Sequence, residues 1–137
     1  MRYRRLSHRY ALVVRAEPTW SLVDFWPSHA FRLLARSHWR PDADAYETRS
    51  AVEIVVDLAG LDEDDFEVQL FEDAVVVEGW RQLPGCAEPA TYHAVMIRQG
   101  PFRIELPLPA PVDAERVSAR YEHGLLRLTL PKRGSGA

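Results

Sequence analysis

The chain has 137 residues, 47% of them hydrophobic and 27% charged, with a formal net charge of −3 and one cysteine. That length makes one domain of ordinary size, able to bury roughly two-thirds of its unfolded surface without a disulfide or metal staple. A lone Cys86 excludes an internal disulfide framework and fits a reducing compartment.

The charge is unevenly placed. Residues 1–40 carry eight Arg against Glu17 and Asp24, a net of 8 − 2 = +6, and residues 41–137 carry a net of 9 − 18 = −9. Segments of opposite sign attract one another, within or between chains. The basic part is short and broken by apolar residues, so nucleic acid is not expected as a partner. Its longest apolar run, Ala11 to Val14, is too short for a signal-peptide core or a membrane span. A cytoplasmic location is expected.

Residues 1–18 read either as a frayed terminus or as a short strand, Leu12-Val13-Val14, that adds to a sheet edge. Residues 19–38 read as helix. Trp20, Val23, Trp26, Ala30 and Leu34 recur at spacings of three and four, with Phe25 and Phe31 beside them, and Pro27 splits the segment at the first turn of a second helix. Such a segment either docks on its own domain or presents a sticky surface. Pro41 and the Asp residues after Trp39 mark a boundary where the charge changes sign.

The pattern then changes to period two. Tyr46 to Thr48 is strand-like. Val52, Ile54, Val56 and Leu58 alternate with Ala51, Glu53, Val55 and Asp57. Phe66, Val68 and Leu70 form the next strand, and Val75 and Val77 another that ends at Gly79. Residues 80–91 read as a long loop, with Tyr92 to Ile97 as a candidate strand inside it. Phe102, Ile104 and Leu106 alternate up to Pro107. Val117, Ala119 and Tyr121 face Leu126, Leu128 and Leu130 across a hairpin whose turn, His123-Gly124, needs positive φ. Pro131 closes that strand, and residues 133–137 read as a flexible stub. Seven or eight short strands without βαβ alternation predict an all-β, immunoglobulin-like antiparallel β-sandwich with a short helical N-terminal arm.

Catalytic chemistry is absent from this pattern. No glycine-rich phosphate loop is present, no His or Cys pair has metal-ligand spacing, and Cys86 lacks a legible orienting partner beyond His93. The acidic run Asp62 to Asp65 lacks the spacing of a calcium loop. No catalytic residue, cofactor or metal is expected.

The hairpin carries a resemblance. Ala119, Gly124, Leu125, Leu126, Leu128, Leu130, Pro131 and Lys132 match the small heat shock proteins, which are built on an α-crystallin (Hsp20) domain. Leu108-Pro109, Val112-Asp113 and Gly100-x-Phe102 match the lead-in. Val56-Asp57-Leu58-Ala59-Gly60-Leu61 matches an earlier motif, with Ala59 in place of the usual Pro. Ile104 departs from the Arg that many members carry. The match covers residues 39–132, so the chain divides into an arm (1–40), an α-crystallin domain (41–132) and a stub (133–137).

The resemblance implies a homodimer, formed when Tyr92, His93, Ala94, Val95, Met96 and Ile97 pair with a partner's sheet. It implies ATP-independent binding of unfolding proteins, through arm residues Trp20, Val23, Phe25, Trp26, Phe31 and Leu34. It implies a docking groove walled by Val68, Leu70, Val117 and Ala119. No Ile-x-Ile-type motif follows Lys132, so small assemblies are expected, and a scaffold without strong holdase activity is the alternative reading. Leu12 and Val14, which share one face of an extended segment, are candidates to fill the groove.

Overall fold

A computed structural model describes residues 2–5 and 38–134. Eight strands run in chain order: β1 (Arg2–Arg5), β2 (Ala43–Glu47), β3 (Ala51–Asp57), β4 (Phe66–Leu70), β5 (Ala74–Arg81), β6 (Gly100–Pro107), β7 (Ser118–Glu122) and β8 (Leu125–Pro131). They form two four-stranded sheets, ordered β1-β4-β5-β6 and β2-β3-β8-β7. Every pairing between these eight strands is antiparallel except β1 with β4. The described residues contain only two short 3₁₀ turns, Glu63–Asp65 and Ala114–Arg116, as helical structure.

The period-two pattern explains the core. Val52, Ile54 and Val56 stand opposite Leu130, Leu128 and Leu126 in the β3–β8 ladder. All six are at most 2% exposed. Val68, Leu70, Val75, Val77, Phe102 and Ile104 meet them from the other sheet. Burying one such side chain is worth about 1.5–3 kcal/mol, so this layer holds the two sheets together.

The hairpin forms as the sequence requires. His123 and Gly124 have φ of 54° and 77°, the two positive values of a type I′ turn. Gly124 is constrained a second way, because a Cβ there would lie 2.9 Å from Ala59 Cα. The Gly124 carbonyl accepts from Leu58 N–H at 2.8 Å, which ties the turn to the end of β3.

Tyr121 closes one end of the sandwich. Its ring meets Phe66 edge-on at 5.1 Å, and its hydroxyl lies 2.7 Å from the Leu58 carbonyl oxygen and 2.8 Å from that of Leu61. One proton is shared between the two acceptors. Burial raises the phenol above its ordinary 10.0, and the Asp62, Asp65 and Asp57 carboxylates push the same way. Just above pH 10 the folded protein keeps a proton that the unfolded chain has lost, so stability falls as pH rises through that interval. Tyr121→Phe is expected to cost about 1 kcal/mol at neutral pH and to flatten part of the alkaline fall. Urea denaturation in a pH series checks both, and an unchanged alkaline slope would remove Tyr121 as its source.

Some boundaries differ from the sequence reading. The strand expected at Tyr46–Thr48 starts at Ala43, because backbone pairing with Val56 and Val55 extends it through residues with no apolar pattern. β5 runs two residues past Gly79, to Arg81. Tyr92–Ile97 form no strand within this chain. The Leu12–Val14 strand falls outside the described residues, as does the helix over 19–38 up to Ser37. Arg2–Arg5 forms a strand beside β4.

Candidate functional site

Two surfaces carry the features of an association site. The first combines the edge of β2 with the loop after β5. β2 lies at the end of its sheet and pairs only with β3, so its other edge has no strand beside it among the described residues. Tyr46 on this strand is 52% exposed. In the loop, Tyr92, Val95, Met96 and Ile97 are between 64% and 87% exposed. An apolar run presented this way is costly in water and marks a contact surface.

The loop's two ends are tied together. Arg81 Nε and Nη2 donate to the Arg98 carbonyl at 2.9 and 2.8 Å, and Nη1 donates to the Ala59 carbonyl at 3.2 Å. The Leu83 N–H donates to Gln99 Oε1 at 3.0 Å. The Arg81 guanidinium also lies 4.2 Å from the ring centre of Trp39. Trp39 is fastened in turn. Its N–H donates to the Pro101 carbonyl and its own carbonyl accepts from Arg103 N–H, both at 3.1 Å, and its indole Nε1 donates to the Gly100 carbonyl at 3.1 Å. The loop thus has a fixed root and an exposed apolar strip. A cleft of about 220 Å³ lies at that root, bordered by Trp39, Asp42, Asp57 and Arg81.

The second surface is the end of the sandwich where β4 faces β7. Val68 and Leu70 are buried in the inter-sheet core, and Val117 and Ala119 are half-buried against it. β7 is the outer strand of its sheet, with β8 as its one strand partner among the described residues. The edge of β4 carries β1, with Tyr3 opposite Val68 and Arg5 opposite Leu70. Leu12 and Val14, the expected groove-fillers, lie outside the described residues. The arm residues Trp20, Val23, Phe25, Trp26, Phe31 and Leu34 lie outside them too.

Among the described residues no three His, Cys, Asp or Glu side chains group to hold a metal ion. Cys86 is free and exposed. No described helix is long and apolar enough to cross a membrane. Sequence reasoning missed β1, where only Tyr3 hints at a strand, and it missed the Arg81–Trp39 fastening, which links residues 42 apart.

Comparison with known proteins places this architecture. The model of the Hsp20/alpha crystallin family matches residues 44–137, more than two thirds of the chain. The chain belongs to the Hsp20/alpha crystallin family. Members of this family are ATP-independent chaperones, not enzymes. Within it, the chain is 39% identical over 93 residues to spore protein SP21 of Stigmatella aurantiaca, covering 68% of this chain and 55% of that protein. It is 27% identical over 96 residues to small heat shock protein C2 of Rickettsia felis, covering 70% of this chain and 62% of that one. The chain therefore spans less than two thirds of the length of both relatives. Heat shock protein 16.0 from Schizosaccharomyces pombe superposes with a TM-score of 0.65 at 25% identity, over 73% of this chain and 93% of that one. The Hsp20 match covers both sheets from β2 onward, the long loop and the hairpin.

Proposed function

We propose that this protein is an ATP-independent holdase that binds unfolding proteins and keeps them from aggregating, and that it works in the cytoplasm as a homodimer or small oligomer. The observation that carries the reading is the exposed apolar strip Tyr92–Ile97, together with an edge of β2 that has no strand beside it among the described residues, on an Hsp20 domain. An extended segment with apolar side chains completes a sheet edge through main-chain hydrogen bonds and buries those side chains at once. In this reading each chain's strip pairs with the partner's β2. Clients bind the aromatic arm through Trp20, Val23, Phe25, Trp26, Phe31 and Leu34, and the acidic domain keeps the complex dispersed. The β4–β7 end, with Val68, Leu70, Val117 and Ala119, takes an extended segment as its docking groove.

The activity is tested by heating a labile enzyme with the full chain and no ATP, and following turbidity. Suppression at equimolar or few-fold excess is expected. Unchanged turbidity at several-fold excess would favour a scaffold role. The association mode has its own test. Val95→Asp with Ile97→Asp places two carboxylates in the strip, and light scattering is expected to show the mass falling to that of one chain. A mass unchanged from the parent would place the dimer contact elsewhere. Both positions are exposed, so the fold of the single chain should tolerate the change.

A further inference from the structure

The connection between β1 and the domain has two fixed ends. β1 lies beside β4 at one edge of its sheet, and Trp39 bridges Phe102 on β6 at the opposite edge. Both pairings are parallel, and β4 and β6 run the same way because each is antiparallel to β5. The chain therefore leaves one edge and returns at the other pointing in the same direction. Four strand spacings separate the two ends, about 19 Å. Residues 6–37 are ample to cross that distance. The inner face of this sheet is filled by the second sheet, which leaves the outer face open to an occupant.

The outer face carries independent marks of an occupant. Strand alternation puts Val76 and Gln69 on it, side by side in the ladder, and neither belongs to the inter-sheet core. Both should be wet, yet they are 1% and 4% exposed. Gln69 is oriented by its amide nitrogen. Nε2 donates to Glu67 Oε1 at 3.1 Å and to Glu78 Oε1 at 2.9 Å. Flipping the amide would set its carbonyl against two carboxylates, so Oε1 must point the other way. That oxygen is buried and has no hydrogen-bond partner among the described residues, a state that calls for a donor. The face is also acidic. Glu67, Glu78 and Glu105 outnumber Arg103, which bridges Glu78 at 3.6 Å and Glu105 at 3.4 Å. Segment 6–37 has the opposite sign, with Arg9, Arg15, Arg32 and Arg36 against Glu17 and Asp24.

We propose that the outer face of the β4–β5–β6 sheet is a docking surface, and that its occupant is this chain's own segment 6–37, seated over Val76 with a donor side chain on Gln69 Oε1. The proposal does not depend on chaperone activity. A photo-crosslinker tests it in the full chain. In a Cys86→Ser background, Glu105→Cys on the docking face and Arg127→Cys on the outer face of the other sheet each carry a benzophenone. Heavy and light isotope-labelled chains are mixed before irradiation, and cross-linked peptides are mapped by mass spectrometry. Cross-links from position 105 into residues 6–37 are expected, within single chains, at least fivefold above those from position 127. Equal yields from the two positions would overturn the docking surface. Mixed heavy–light pairs in excess would overturn the choice of occupant and assign it to a second copy. Glu67→Cys repeats the test from the β4 side if the first variant is unstable.

Discussion

Gly79→Ala is expected to destabilise the fold by about 3 kcal/mol or more, at or above the top of the usual range for an overpacked core. A Cβ at this position would lie 2.2 Å from the Asp65 carbonyl oxygen, 2.8 Å from Phe102 Cζ and 2.9 Å from Phe66 Cα. Two of those neighbours are backbone, fixed by the β4–β5 ladder in which Gly79 stands opposite Phe66. Neither a rotamer change nor a small hinge relieves such a contact, so strands must separate. Urea denaturation at one protein concentration measures the effect, and with an m-value of about 1–3 kcal/mol/M the midpoint should fall by at least ~1 M. Gly85→Ala is the control, since a Cβ there meets nothing within 4 Å. A Gly79→Ala midpoint equal to that of the control would mean that β5 and the Glu63–Asp65 turn can part at little cost.

Phe102→Ala should cost about 3–5 kcal/mol, the range for emptying a buried aromatic site. Phe102 is fully buried and heads the largest buried side chains of the core. Its ring lies 5.2 Å from that of Trp39 at an interplanar angle of 53°, and Gly79 stands opposite it in the β5–β6 ladder. Removing it takes away the surface against which Trp39 packs. A red shift of part of the tryptophan emission should therefore accompany the lost stability. The two substitutions should also couple. Alanine at 102 removes the clash with Phe102 Cζ but leaves the one with the Asp65 carbonyl, so the double variant should cost less than the sum of the single ones. Strict additivity would mean that Gly79 is not there to make room for the ring.

The sandwich was legible because its signal is local. Val52, Ile54 and Val56 or Leu126, Leu128 and Leu130 each announce a half-buried strand without knowledge of their partners. The His123-Gly124 turn is equally local, since its φ values follow from the residues in it. The features around the association surfaces are not of this kind. Arg81 reads as one more surface charge until Arg98, Ala59 and Trp39 converge on it. Arg2–Arg5 has no apolar alternation and only Tyr3 with β propensity, and its strand state depends on the edge of β4. By sequence Gln69 reads as the polar half of the Phe66, Val68 and Leu70 alternation, and only its burial and its unpartnered Oε1 single it out. Tyr92–Ile97 reads as a short strand in the sequence yet forms none within this chain, and its proposed pairing with a second chain rests on the family resemblance, since pairing between chains has no signature in one sequence.

The β3–β8 ladder has a consequence in time. Leu128 lies 128 − 54 = 74 residues after its partner Ile54. At about 5–20 residues per second, the ribosome delivers it roughly 4–15 s later. Until then Val52, Ile54 and Val56 have no β8 to cover them, and pairings this distant in sequence form slowly even in the finished chain. During its own birth, this protein presents the kind of uncovered apolar strand that it is proposed to protect in others.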